Sequence, residues 1–152
     1  MSGWSFEHSV HAAVAPDVAW RFWTDVGNWL FDTSIEWVKL EPGFVTGAKG
    51  LTKPRGADPL EWTVRDVGDH RAAIEMLLPD ATVTFRWSFE PDATGGTRIT
   101  QQATLSGPNA ANYIGIADSE LASGIPQGMQ KMAEMIERRA IPASARTHDT
   151  SC

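Results

Sequence analysis

The chain has 152 residues and a single cysteine, Cys152, which is also the last residue. No disulfide can close within it, and a metal site built on two cysteines is excluded. Basic residues are scarce as well: 13 Lys and Arg stand against 19 Asp and Glu, for a formal net charge of -6. Affinity for nucleic acid comes mainly from clustered Lys and Arg, so a nucleic-acid partner is not expected. No stretch approaches the ~20 apolar residues of a membrane span, and the start, MSGWSFEHSVHAAV, has no basic segment followed by an apolar run. The expectation is a cytoplasmic protein without an integral membrane segment. Tyrosine occurs once, against seven Trp and six Phe. Large rings with few hydroxyls suit an apolar interior.

The usual sequence patterns of catalysis are missing too. There is no G-x-S-x-G elbow for a nucleophilic serine, and the one thiol lies at the terminus. The glycines of PGFVTGAKG, Gly43, Gly47 and Gly50, lead into Leu51 in a strand context. A phosphate loop needs Gly-Lys followed by Ser or Thr, so a glycine-rich hairpin is the better reading. His8 and His11 lie on a strand, where an odd offset sends side chains to opposite faces; His70 sits in a turn and His148 in the tail. No metal or cofactor is expected. Glu75 is a general acid or base if it faces a cavity and an ordinary solvent-facing glutamate if it does not.

The most informative stretch is ATVTFRWSFEPDATGGTRITQQATLSGP, from Ala81 to Pro108. Val83, Phe85, Trp87 and Phe89 alternate with polar residues, the two-residue period of a half-buried strand. Asp92 to Gly96 forms a reversal, and Ile99, Gln101, Ala103 and Leu105 alternate in a second strand. Gln101 interrupts the apolar face. A buried side-chain amide without partners costs roughly 1–3 kcal/mol, and a greasy face bearing one polar group fits a ligand cavity as well as a solid core.

Elsewhere, Trp4, Phe6, His8, Val10 and Ala12 give a first strand with its even side inward. Pro16 opens a helix whose buried side carries Val18, Ala19, Phe22, Trp23 and Val26; Gly27 ends it, and 28–32 reads as a second short helix or turn. Strands are predicted over 35–41, 48–54, 60–65 and 71–78, separated by turn residues. After Pro108, Ile114, Ala117, Leu121, Ile125, Met129, Met132 and Ile136 follow helical steps. Gly124, Pro126 and Gly128 predict a kink or division of that helix, a possible hinge over a pocket. Residues 1–140 read as one domain, and 141–152, small and polar, as a disordered tail.

The order strand, two helices, six strands, long helix implies an α+β fold, a curved antiparallel sheet of about seven strands wrapped around a long C-terminal helix. HAAVAPDVAWRFWTDVGNW, EPGFVTGAKG, LLPDATVTFRWSFEP and GTRITQQATLSGP, in this order, resemble the SRPBCC superfamily, the START-like or Bet v 1-like helix-grip proteins. The resemblance covers roughly 4–139 and is nearest to the bacterial polyketide cyclase/dehydrase-like branch. It implies a deep apolar cavity between sheet and C-terminal helix. It also implies binding or transport of a small aromatic, acyl or polyketide-like ligand, with a cyclase/dehydratase and a co-chaperone-like interaction module as alternatives. No catalytic residue carries over, and a monomer or homodimer is equally compatible. The residues expected at the ligand are His8, Trp62, Met76, Phe85, Trp87, Ile99, Gln101, Leu105, Met129 and Met132. His8 and Gln101, on strands expected to pair, are the expected polar anchor, joined by a hydrogen bond.

Overall fold

The computed structural model describes residues 2–140. The expected disordered tail, 141–152, lies outside the described residues. Strand β1 (Ser2–Ala12) leads into helix α1 (Pro16–Thr24) and a 3-10 turn (Val26–Phe31). Six strands follow: β2 (Ile35–Glu41), β3 (Lys49–Pro54), β4 (Leu60–Gly68), β5 (Arg71–Leu78), β6 (Ala81–Pro91) and β7 (Thr97–Ser106). After them come a 3-10 turn (Ala110–Tyr113), a short α2 (Ile114–Ile116), a π-helical turn (Ala117–Leu121) and the long α3 (Ala122–Ala140).

All seven strands form one antiparallel sheet in the order β1-β7-β6-β5-β4-β3-β2, the curved sheet of the helix-grip architecture. Alternation along each strand decides which face is buried. In β7, Ile99, Gln101, Ala103 and Leu105 are buried while the residues between them are not. β1 pairs with β7 so that His8 stands opposite Gln101, because the hydrophobic pattern of the two strands sets their register. Glu75 falls on the outer face, where its carboxylate approaches Arg65 Nε at 3.5 Å.

Pro16 fixes the start of α1, and Ala19, Phe22 and Trp23 form its buried stripe. They pack on β6, where Phe89 lies 5.4 Å from the Trp23 ring. In α3 the buried face is Ile125, Met129, Met132, Ala133 and Ile136. The expected division at Gly124–Gly128 is not there: α3 continues through Pro126, and the irregular turn lies before it, at Ala117–Leu121. The helical run is continuous there, since the Ala122 N–H donates to the Ala117 carbonyl, so Pro126 is an interior proline that removes one backbone donor just after the π turn. A Cβ added at Gly124 or Gly128 would meet nothing within 4 Å, so neither glycine is needed to admit a close neighbour.

α3 lies along β1, where the Ala13 N–H donates to Glu137 Oε2 at 2.7 Å, and its backbone stands off from β2–β5. This leaves a gap, lined by side chains, between the helix and that half of the sheet.

The β6–β7 reversal is held by Asp92. Its Oδ1 accepts from the Thr94 N–H (2.9 Å), the Thr94 hydroxyl (2.7 Å) and the Gly96 N–H (3.0 Å), and Oδ2 lies 2.5 Å from His11 Nδ1 on β1. These bonds, the Thr94 hydroxyl foremost, hold the carboxyl at about 2, below its ordinary 3.8. A depressed pKa stabilises the fold fully above the unfolded-state value, and that contribution is lost as pH falls through the folded-state value. The melting-temperature advantage of the wild type over Asp92→Asn is therefore expected to shrink as pH is lowered from about 4 towards 2. An advantage that stays constant or grows across that range would contradict this role.

Candidate ligand-binding site

A cavity of about 210 Å³ occupies the gap. Its lining comes from every layer of the fold: Trp23 of α1, Trp29 and Asp32 around the 3-10 turn, Ile35 of β2, Ile74 of β5, Phe85 and Trp87 of β6, Gln101 of β7 and Met132 of α3. The wall is mostly aromatic. Trp23 lies 5.0 Å from Trp87 and 6.0 Å from Trp29, and Trp29 stacks on Trp62 at 5.3 Å. Trp29 is fixed in addition by its indole N–H, which donates to the Trp23 carbonyl at 2.7 Å.

Two polar side chains interrupt this lining. Gln101 is 7% exposed and its amide makes no hydrogen bond among the described residues. No buried side-chain nitrogen or oxygen fully shut off from space lacks a partner among the described residues, so the Gln101 amide borders open space, which the lining identifies as the cavity. Asp32 is partly exposed, and its Oδ1 accepts from the Ser34 N–H (2.9 Å) and hydroxyl (2.6 Å). That bonding fixes the carboxylate at the start of β2.

Of the residues expected at the ligand, Phe85, Trp87, Gln101 and Met132 stand together on the cavity wall. The others lie elsewhere. Trp62 sits one ring behind, covered by Trp29, and its N–H donates to the Thr52 hydroxyl at 2.9 Å. Ile99 and Met129 are packed in the core, 0% and 1% exposed. Leu105 belongs to a second cluster with Ala81, Val83, Ala110 and Ala117, against which the half-buried Met76 also packs. His8 is half-buried opposite Gln101 without lining the cavity, and the hydrogen bond expected between the two is not among those of the described residues.

Trp23, Trp29, Asp32, Ile35 and Ile74 complete the lining and were not expected there. The helical stripe marks Trp23 as buried but does not separate core from wall. Trp29 lies in a 3-10 turn, and Asp32 at its C-terminal end, a segment too short for any period to show their direction.

A seven-stranded grip around a long helix, with an apolar cavity between them, defines a helix-grip protein. The chain belongs to the family described as polyketide cyclase / dehydrase and lipid transport, whose model matches residues 3–140. Solved structures agree on the fold. Norcoclaurine synthase from Thalictrum flavum superimposes with a TM-score of 0.68 at 11% identity, over 88% of this chain and 86% of that one. Protein NE0264 from Nitrosomonas europaea gives 0.68 at 18% identity, over 89% and 95%. The di-domain ARO/CYC StfQ of the steffimycin biosynthetic pathway gives 0.70 at 15% identity, over 90% of this chain and 52% of that one. No curated protein matches the sequence. The family and its fold support hydrophobic-ligand binding as the general class.

Proposed function

We propose that this protein carries or senses a small hydrophobic molecule held in the Trp23–Trp87 cavity. The observation that carries the reading is the Gln101 amide, buried and without a protein partner, facing a wall of indole, phenyl and thioether groups. A preformed apolar pocket with a few placed polar groups is the usual form of a small-molecule site. A cavity of about 150 Å³ holds a benzene-sized guest and drug-sized ligands need about 300 Å³ or more. At about 210 Å³ the site suits one ring with a short chain, and the flexible, polarizable Met132 can adapt to it.

Two other readings are weaker. A cyclase or dehydratase needs groups that move protons at the substrate, and among the lining residues Asp32 is the one ionisable side chain, with His8 outside. A co-chaperone-like module has no use for an open apolar cavity carrying an unpartnered amide.

Native mass spectrometry of protein purified from its own host should reveal a small co-purifying molecule. Titrating that molecule into Gln101→Ala should show affinity reduced about 5- to 10-fold, the worth of one hydrogen bond, with the melting temperature little changed. Unchanged affinity with lowered stability would make Gln101 a structural residue instead.

A further inference from the structure

Resting on the reading of the cavity as a hydrophobic-ligand site, we infer that its ligand is an organic cation, a protonated amine on an apolar body, with the charged end at Asp32. The charge of the lining points one way. Asp32 is its one acidic side chain, and no Lys, Arg or His lines it. Asp32 Oδ1 takes both Ser34 bonds, while Oδ2 accepts nothing from the described residues. Of the cations of the adjoining turn, Lys53 Nζ is taken by the Pro54 carbonyl (3.0 Å) and Glu36 (3.3 Å), and Arg55, whose Nε donates to the Thr33 carbonyl (2.8 Å), stands outside the lining.

The aromatic wall acts in the same direction. Indole and phenyl faces carry the negative lobe of the ring quadrupole and attract a cation, most strongly where water is excluded. Trp29 has already spent its N–H on the Trp23 carbonyl, so what it offers a ligand is its π-system. The Gln101 carbonyl adds a neutral acceptor, and its NH2 remains for an uncharged acceptor on the ligand body. A ligand carboxylate would have to face Asp32 with no compensating cation in the lining. The net charge of -6 raises the local concentration of cations around the molecule further.

Three soluble probes sharing one ring and chain, 4-phenylbutylammonium, 4-phenylbutanol and 4-phenylbutanoate, separate charge from apolar burial by calorimetric titration. The ammonium should bind about tenfold or more tighter than the alcohol, with the carboxylate weakest. Asp32→Asn keeps a carbonyl oxygen for Ser34 and removes the charge. It should abolish that preference while moving the alcohol affinity by less than about twofold. Should this variant fail to fold, the wild-type series alone decides. Carboxylate binding as tight as ammonium, or an ammonium preference that survives Asp32→Asn, overturns the inference. If the alcohol binds as well as the ammonium, the cation inference fails and the hydrophobic site stands; if none of the three binds, both fail.

Discussion

Trp23→Ala is expected to lower the free energy of unfolding by about 3–5 kcal/mol, the range for truncating a fully buried aromatic. Trp23 is 2% exposed and its ring touches those of Trp20, Trp29, Phe44, Trp87 and Phe89 at centroid distances between 4.6 and 6.0 Å. Removing it strips one face from each of five rings at once. The void would open into the existing cavity, so the neighbours have no wall to collapse against. Domains of this size are stable by only about 5–15 kcal/mol, so the variant should melt roughly 6–20 °C lower. Urea denaturation of the two proteins measures the difference. A loss below about 1 kcal/mol would mean that the ring cluster repacks freely, contrary to the close packing of protein interiors. Trp37, half-buried on β2 with Lys39 Nζ 4.8 Å above its ring, serves as the contrasting site and should lose far less on the same truncation.

The second large effect is expected at Gly50 of β3. A Cβ there would lie 2.3–2.5 Å from three carbons of the Trp62 indole, too close for any real contact. The ring cannot step aside: its N–H is bonded to Thr52, and its far face stacks on Trp29 at 5.3 Å. Gly50→Ala should therefore cost about 1–3 kcal/mol through overpacking, with the displacement passed on to the Trp29 wall and to ligand affinity. Gly124→Ala and Gly128→Ala provide the control. Both sites are helical with open space at the Cβ, and alanine there should stabilise by about 0.4–1 kcal/mol. Equal behaviour at all three glycines would refute the steric argument.

Strands were the most legible part of the chain because burial on one face writes a two-residue period into the sequence. β6 and β7 show it from Val83 to Leu105, and the order of elements then implied the helix-grip sheet. Gln101 was legible for the same reason, as the polar break in an apolar alternation, and it lies on the cavity wall. What the pattern does not carry is depth. Ile99, Gln101 and Leu105 share one face of β7, yet one lies in the core, one on the wall and one in a second cluster. Which of these applies depends on where α3 rests, and α3 rests along β1, a tertiary choice invisible in either segment. The helix irregularity was misplaced for a related reason. Proline and glycine advertise a break, but α3 runs on through Pro126, while the π turn at Ala117–Leu121 has neither residue to announce it.

The run of indoles has a spectroscopic consequence. Trp20, Trp23, Trp29, Trp62 and Trp87 form a connected cluster branching at Trp23, in which every ring lies within 6.0 Å of at least one other. At such separations excitation passes between rings faster than it is emitted, and the coupled transitions lend strong near-ultraviolet circular dichroism to the cluster. Light absorbed at Trp20, which does not line the cavity, is thus subject to whatever contacts Trp87. A guest at one ring alters the emission of five, so occupancy of the cavity is readable from intrinsic fluorescence without a label.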